Sequence, residues 1–367
     1  MTPESLRIVV LGLSITSSWG NGHATTYRAL LRQLAARGHR ITFFERDVEW
    51  YRENRDLVDA AYCDIRLYES VDELINSYAG LIGQSDVAII GSYVPDGIHV
   101  ARWVLAHAPG LTAFYDIDTP ITISDLRAGR CQYLEPELIP EFDLYLSFTG
   151  GPILRQIEQD FGARCPRLLA CSVEPSLYYP EAGVAERWQL GYLGTYSVDR
   201  QPKLENLLAR PARTFRDQRF AVAGSLYPDE LSWPANVDRI DHLPPSEHRQ
   251  FYNSQRFTLN VTRQDMVTAG YSPSVRLFEA AACGTPIISD RWAGLETFFE
   301  PEREILLAEN ADECCKILRD YHESERQAIS QRARRRVIAE HSAAERARQL
   351  ESYLAAAREC VGGTVRL

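Results

Sequence analysis

The sequence predicts an α/β protein built from two Rossmann-like domains. The chain has 367 residues, more than one ordinary domain contains. In both halves, short apolar runs alternate with segments of helical spacing, which is typical of parallel sheets covered by helices on both faces. Residues 171–180, with two prolines and no periodicity, separate the halves.

The first half predicts a regular series of strands. Residues 7–13 read as a buried strand, followed by a loop that contains Gly20 and Gly22. A helix is expected over residues 25–37, and Gly38 ends it. The other predicted strands of this half are residues 40–45, 86–91, 112–116, 143–148 and 167–171.

The second half repeats the pattern and ends in a helical tail. Its predicted strands are residues 189–194, 219–224, 257–261 and 286–290, and residues 312–360 have helical spacing. We expect a first domain over 1–174, a second over 175–340, and a closing helix and tail, 341–367, packed toward the first domain. Ligands should bind at the carboxyl ends of the strands, in a cleft that the two domains face.

Composition excludes several function classes. A net charge of −10 argues against a nucleic-acid partner, since the phosphate backbone requires a basic surface. The eight cysteines have no C-x-x-C spacing, which favours reduced thiols over disulfides or a zinc site. Neither a signal region nor a membrane-spanning apolar run is evident. We therefore expect a cytoplasmic protein with at most peripheral membrane contact.

The most informative segment is residues 270–290. Ser272 is expected to cap a helix, Pro273 suits its first position, and Gly284 ends it before a strand. The free N–H groups and positive dipole end of such a helix suit a phosphate.

Glu279 lies inside an otherwise apolar run of this helix. A buried carboxylate needs partners, because desolvating it alone costs several kcal/mol. Two ribose hydroxyls would satisfy it. An ion pair with Arg276, three residues earlier, would do so equally well.

These residues resemble a donor-binding signature. Glu279 and the Ala-Cys-Gly-Thr-Pro run at 282–286 are similar to the second half of the Glu-x7-Glu element of glycosyltransferase family 4. The first glutamate of that element is replaced here by Tyr271. Spore-maturation glycosyltransferase-like proteins also lack that acid and carry an Arg-x-x-Glu pattern, as Arg276 and Glu279 do. The resemblance extends over most of residues 190–353.

The resemblance implies a GT-B fold, whose C-terminal helix crosses back to the first domain, and a glycosyltransferase of hexosyltransferase type. The donor would be a nucleoside-diphosphate sugar, UDP-linked, and the acceptor a hydroxyl of a glycan, lipid, protein or small molecule. No cofactor or metal ion is expected. The residues expected to bind the donor are Gly22, Thr195, Arg200, Lys203, Arg263, Tyr271, Ser272, Ser274, Arg276 and Glu279.

Lys203 has independent support. Of the 40 basic residues only two are lysine, so a lysine in the expected phosphate loop indicates a need for a compact ammonium group. A chance surface lysine is the alternative.

The first domain supplies the candidate catalytic residues. Asp116 and Asp118 follow a predicted strand, and one of them is a candidate general base for an acceptor hydroxyl. Their Asp-x-Asp spacing would also suit a metal ion, although basic side chains in the second domain make a metal unnecessary. Capping of the following turn is an equal alternative for both carboxylates. His23 is a candidate base or oxygen contact, or a helix cap.

Three other functions remain open. Gly20, Gly22 and Glu45 partly match the fingerprint of an NAD-dependent oxidoreductase, although its third glycine is Thr25 here. A GT-B-like nucleotide-sugar epimerase would bind the same donor. A non-catalytic sensor would bind the donor without consuming it, and Tyr271 in place of the acid is compatible with that reading.

Overall fold

The computed structural model describes the backbone of residues 5–363 and the side chains of residues 5–360. The chain forms two compact units. The first runs to Cys171 and includes the chain from Ala343 onward, and the second comprises Ser172–Ser342.

The first unit is built on a parallel sheet of seven strands. The strands are β1 (Arg7–Gly12), β2 (Arg40–Arg46), β3 (Asp64–Tyr68), β4 (Val87–Gly91), β5 (Leu111–Asp116), β6 (Leu144–Ser147) and β7 (Pro166–Leu168). Their order is β3-β2-β1-β4-β5-β6-β7, with every neighbouring pair parallel. All carboxyl ends therefore lie on one edge of the sheet.

Helices connect these strands, and apolar side chains of strands and helices form the core. The helices are α1 (Gly22–Ala36), α2 (Glu49–Arg52), α3 (Val71–Ile82), α4 (Gly97–His107), α5 (Thr119–Arg127) and α6 (Pro152–Phe161), with a 3-10 helix over Pro136–Glu141. The first of them begins at Gly22, earlier than predicted, because the Asn21 side chain accepts a hydrogen bond from the backbone N–H of His23.

The second unit has a parallel sheet of six strands in the order β10-β9-β8-β11-β12-β13. They are β8 (Trp188–Leu193), β9 (Phe220–Ala223), β10 (Val237–Ile240), β11 (Gln255–Asn260), β12 (Ile287–Ser289) and β13 (Leu306–Leu307). Its α-helices are α7 (Gln201–Leu204), α8 (Arg210–Thr214), α9 (Pro245–Asn253), α10 (Gln264–Ala269), α11 (Val275–Ala282), α12 (Ala311–Asp320) and α13 (Glu323–Glu340). A π-helical stretch, Glu205–Ala209, joins α7 to α8, and a 3-10 helix spans Leu295–Thr297.

The last helix, α14 (Ala343–Gly363), belongs to the first unit. Leu350 and Leu354 are buried in that unit's core. Glu351 accepts hydrogen bonds from Arg37 at 2.5 and 2.6 Å and lies 2.9 Å from His39 Nε2. The expected return of the C-terminal helix to the first domain is confirmed. None of the helices described, α14 included, combines the length and apolar character needed to cross a membrane.

The predicted α/β class and the ten predicted strands are confirmed, each strand overlapping one in the structure. The sequence missed β3, β10 and β13. All three lie at or near an edge of their sheet, where strands are short or carry charged residues, and apolar runs do not reveal them.

Candidate functional site

The helix that carries Glu279 starts later than predicted. Its first residue is Val275 and its N-cap is Ser274, which makes no side-chain capping bond. Ser272 is therefore not the N-cap, and Pro273 precedes the helix. The predicted end is confirmed, since Gly284 follows the helix in the left-handed conformation (φ 73°).

The late start follows from a turn before the helix. Gly270 (φ 67°) and Tyr271 (φ 51°) are both left-handed, so the chain cannot enter a helix there. The half-buried Tyr271 ring lies so close to Gly294 that a Cβ at position 294 would come within 2.3 Å of it. The Ser272 hydroxyl is buried and bonds Met266 Sδ at 3.0 Å. Tyr271 thus packs on the loop after β12.

Glu279 is only 3% exposed and faces α9. Tyr252 donates its hydroxyl hydrogen to Oε2 at 3.0 Å, and His248 Nδ1 lies 3.7 Å from the same oxygen. Burial raises the pKa of Tyr252 well above its usual value, so this hydroxyl remains a donor. The other oxygen, Oε1, accepts no hydrogen bond from the described residues. The carboxylate therefore keeps acceptor capacity for a ligand hydroxyl.

Arg276 does not pair with Glu279. Its Nε donates to the carbonyl oxygen of Leu193, and its Nη1 donates to Asn260 Oδ1 at 2.7 Å. The guanidinium lies over the Tyr192 ring, 4.7 Å from its centroid. The ion-pair alternative for Glu279 is wrong, because Arg276 instead fastens α11 to the carboxyl ends of β8 and β11.

Basic side chains follow β8. Arg200 Nη2 donates to the carbonyl oxygen of Thr195 at 2.5 Å, while Arg200 Nε is buried without a partner among the described residues. Lys203 Nζ bonds Asp290 Oδ2 at 2.7 Å. Asp290 also accepts from the backbone and hydroxyl of Thr262. Lys203 is therefore anchored by a buried carboxylate that follows β12.

Two further predicted donor-binding residues are Arg263 and Gly22. Arg263 is exposed and is the N-cap residue of α10. Gly22 belongs to the first unit, where it is the exposed first residue of α1.

In the first unit, Asp116 is fully buried at the end of β5. It accepts hydrogen bonds from Thr122 Oγ1 at 2.6 Å and from the Tyr145 hydroxyl at 2.7 Å. Burial raises its pKa to about 6, although the two hydroxyl donors oppose that shift. Both oxygens are enclosed and accept hydrogen bonds, so Asp116 holds the β5–α5 turn in place, as the capping alternative predicts.

Asp118 and His23 lie close together and are partly exposed. Tyr93 donates its hydroxyl hydrogen to Asp118 Oδ2 at 3.1 Å, and its ring meets the His23 ring edge-on at 5.5 Å between centroids. His23 Nδ1 is buried without a partner among the described residues. Burial lowers the pKa of His23, and the charge of Asp118 opposes this. His23 is therefore a neutral imidazole at pH 7, as a general base must be.

Sequence reasoning missed Tyr93, although it supports both candidate catalytic side chains. Its φ of 63° is rare for a non-glycine residue and orients it at the end of β4. Position alone offered a signal, because Tyr93 follows a buried strand just as Asp118 does. Tyr252 and His248, which contact Glu279, were missed because α9 carries no motif.

Glu45 is used within the loop that follows β1. It is fully buried and accepts hydrogen bonds from the backbone N–H groups of Ile15 and Thr16 at 2.6 and 2.9 Å, and from the Thr16 hydroxyl at 2.6 Å. Both carboxylate oxygens are therefore occupied, and Glu45 cannot bind the ribose of NAD. Within residues 5–360, no group of three or more His, Cys, Asp or Glu side chains is placed to hold a metal ion.

Comparison with known proteins gives one family-model match and several structures of the same fold. Residues 200–352 match the family model described as glycosyl transferase-like. That range contains Lys203, Arg276 and Glu279. No curated protein matches the chain in sequence.

Solved structures match the chain over nearly its whole length. Sucrose-phosphate synthase from Thermosynechococcus elongatus has a TM-score of 0.69 and 15% identity over 98% of this chain and 100% of its own. Anabaena HepE in complex with UDP and glucose has a TM-score of 0.71 and 12% identity over 96% and 100%. An alpha-glucosyltransferase in complex with UDP-glucose and DNA containing an abasic site has a TM-score of 0.70 and 12% identity over the same shares. The fold is GT-B. The narrower resemblance to glycosyltransferase family 4 and the spore-maturation group stays a prediction.

Proposed function

We propose that this protein is a hexosyltransferase that moves a sugar from a UDP-sugar to a hydroxyl acceptor without a metal ion or a further cofactor. The glycosyl transferase-like domain supports the reaction class. The UDP and UDP-glucose bound by structures of the same fold support the choice of nucleotide. In this proposal the second unit binds the donor and the first unit binds the acceptor.

The observation that carries the proposal is the buried carboxylate of Glu279. No arginine neutralises it, one tyrosine hydroxyl bonds Oε2, and Oε1 has no hydrogen bond from the described residues. An unsatisfied buried carboxylate is costly, so it is retained where a ligand completes it. The hydroxyls of a ribose supply the missing donors.

The donor's diphosphate would be bound at the carboxyl edge of the second sheet. Arg200 has a buried Nε without a partner, and Lys203 adds an ammonium that Asp290 holds in place. The N-terminus of α11 adds its positive dipole end. Fixed cations stabilise the charge that develops on a leaving diphosphate, and they do so without reorganisation during the reaction.

In the first unit, His23 would act as the general base. Its neutral imidazole takes the proton of the acceptor hydroxyl while that oxygen attacks the anomeric carbon and the bond to the diphosphate breaks. Asp118 then stabilises the imidazolium, and Tyr93 positions Asp118. A general base of this kind contributes about 100- to 10,000-fold to a rate.

Calorimetric titration with UDP tests the donor site. We expect the wild-type protein to bind UDP and Glu279→Gln to bind it roughly 10- to 100-fold more weakly, since a hydrogen bond to a charged group contributes about 1.5–3 kcal/mol. Glutamine keeps the shape of the side chain and removes its charge. Glu296→Gln, at an exposed position of the same unit, is the matched control and should bind like the wild type.

Equal UDP affinity in the wild type and Glu279→Gln would contradict the assignment of Glu279. A wild-type protein that binds no UDP but binds NAD would contradict the proposed function as a whole. Incubation with a UDP-sugar that binds, followed by analysis of the products, then separates three functions. A transferase gives a glycosylated acceptor, an epimerase gives a changed sugar without any acceptor, and a sensor leaves the UDP-sugar unchanged.

A further inference from the structure

Two tryptophans, one partly buried and one exposed, form a pair at the carboxyl edge of the first sheet. Trp19 lies in the loop after β1 and Trp50 lies in α2, which follows β2. Their ring centroids are 4.5 Å apart and the rings meet edge to face. Trp50 remains 53% exposed, more than any other tryptophan among the described residues. A tryptophan ring has a large apolar face and an N–H donor, and such rings are enriched at binding interfaces.

The loop that carries Trp19 is fixed to the segment that carries Trp50. Ser17 Oγ donates to the carbonyl oxygen of Asn54 at 2.8 Å, and Ser18 Oγ donates to Asp56 Oδ2 at 2.6 Å. Arg28 on α1 pairs with Asp56 at 2.6 Å. These bonds hold both rings on one scaffold, so little side-chain or loop entropy would be lost when a ligand binds.

The surroundings of the pair are polar and contain more than one sign of charge. Glu49, Arg52 and Glu53, all in or next to α2, are exposed. Arg52 donates to Asp47 at 3.1 Å. Carboxylates and guanidinium groups around an aromatic face suit a neutral ligand with many hydroxyls, because those hydroxyls both donate and accept hydrogen bonds. An indole face also suits the apolar face of a sugar ring.

Other partners fit this surface less well. A membrane-binding helix needs a long apolar face and a basic polar face, whereas α2 has four residues and is flanked by exposed glutamates. The same glutamates repel the phosphates of a nucleic acid.

We propose that Trp19 and Trp50 form a saccharide-binding subsite that holds the acceptor, so that the acceptor is a glycan or a glycoside. Trp19 is four residues before His23, which lies in the first turn of α1, so the subsite and the candidate base both belong to the connection that follows β1. This inference rests on the proposed function, since it names the acceptor class of that reaction.

A glycan microarray probed with the labelled full-length protein in the presence of UDP tests the subsite. We expect the wild type to bind a subset of the printed glycans, Trp50→Ala to bind that subset at least about tenfold more weakly, and Trp50→Phe to recover much of the signal because it retains a ring. Tyr179→Ala removes an exposed aromatic ring from the second unit and should leave glycan binding unchanged.

Two controls make the outcomes decisive. Circular dichroism and UDP titration of Trp50→Ala should match the wild type, which shows that the fold and the donor site are intact. Vesicles of phosphatidylcholine with phosphatidylglycerol should not bind the protein. The proposal is overturned if the wild type binds no glycan, if Trp50→Ala binds glycans like the wild type, or if vesicle binding depends on Trp50. A wild-type protein that binds glycans through Trp50 but does not bind UDP would overturn the proposed function and leave the saccharide subsite standing.

Discussion

The two units share one architecture and differ in the charges at the carboxyl edges of their sheets. In the first unit that edge carries an imidazole, a carboxylate and a tyrosine hydroxyl, from His23, Asp118 and Tyr93. In the second unit it carries two guanidinium groups and an ammonium group, from Arg200, Arg276 and Lys203, and only the ammonium is paired with a carboxylate there, that of Asp290. The first set suits removal of a proton, and the second suits an anion.

Each unit also buries carboxylates that have no arginine partner, among them Asp116 and Glu279, and hydrogen bonds distinguish these two. Both oxygens of Asp116 are satisfied, by Thr122 and Tyr145. Glu279 has a bond from Tyr252 to one oxygen only. Burial alone therefore does not identify a binding residue. The acceptor capacity that the protein leaves unused separates a structural carboxylate from a ligand-binding one.

The strongest test of this comparison is His23→Ala. If the first unit provides the base and the second binds the donor, this variant should lose about 100- to 10,000-fold in kcat and keep its affinity for UDP. UDP release from UDP-glucose measures turnover, with water or a glycan as acceptor. The acid limb of the wild-type rate profile should lie below pH 6.5, because burial lowers the pKa of His23.

His99→Ala, at an exposed position on α4, is the matched control and should have wild-type kcat. A His23→Ala protein with unchanged turnover would remove the catalytic role from the first unit's cluster. A parallel loss of UDP affinity would show that His23 belongs to the donor site instead.

A smaller effect is expected from Asp116→Asn, measured as a function of pH. The folded-state pKa of Asp116 is raised to about 6, above the value in an unfolded chain, so the folded protein holds this proton more tightly. Its contribution to stability is present in full below pH 4 and is lost as the pH rises through 6. Relative to Asp116→Asn, the wild type should lose about 3 kcal/mol of unfolding free energy between pH 4 and pH 7.

Urea unfolding of the wild type and of Asp116→Asn between pH 4 and pH 7 measures the difference between their unfolding free energies. Asp59→Asn, at an exposed position of the same unit, should track the wild type at every pH. If the unfolding free energies of the wild type and Asp116→Asn differed by the same amount at every pH, Asp116 would be ionised in the folded protein from pH 4 to pH 7. The contrast with Glu279 would then rest on hydrogen bonds alone.

Much of the fold could be predicted from the sequence because a buried parallel strand leaves an apolar run that is easy to find. Residues 86–91 and 219–224 are examples, and both match strands whose side chains are buried. The edge strand β3 has an exposed or partly exposed residue at most positions, so neither a run nor a clean alternation marks it. The start of α1 depends on one capping bond from Asn21, and the start of α11 depends on the left-handed turn at Gly270 and Tyr271, which explains the errors at Gly22 and Ser272.

The candidate site was predictable only in part. Glu279 was found because a charge in an apolar run is conspicuous, and Asp118 because it follows a strand. The partners of these residues could not be read from spacing. Tyr252 comes from another helix and Tyr93 from another strand end, and only the tertiary structure brings them within hydrogen-bonding distance. The same holds for Arg276, whose acceptors are distant in sequence.

Arg276→Lys gives the smallest expected effect and tests whether the second unit's cations are also structural. The guanidinium reaches Leu193 and Asn260 at once, and a lysine has a single nitrogen that cannot serve both acceptors. A buried acceptor without a donor costs about 1–3 kcal/mol, so urea unfolding should show a loss of roughly 2 kcal/mol. Arg291→Lys, in an exposed pair with Glu309, should change stability by less than about 0.5 kcal/mol.

If Arg276→Lys were as stable as the wild type but bound UDP weakly, Arg276 would be a ligand-binding group alone. A loss of both stability and UDP affinity would mean that one guanidinium fastens α11 to the sheet and also prepares the donor site. No candidate catalytic residue of the first unit could play that double role as a cation, since His23 is neutral at pH 7.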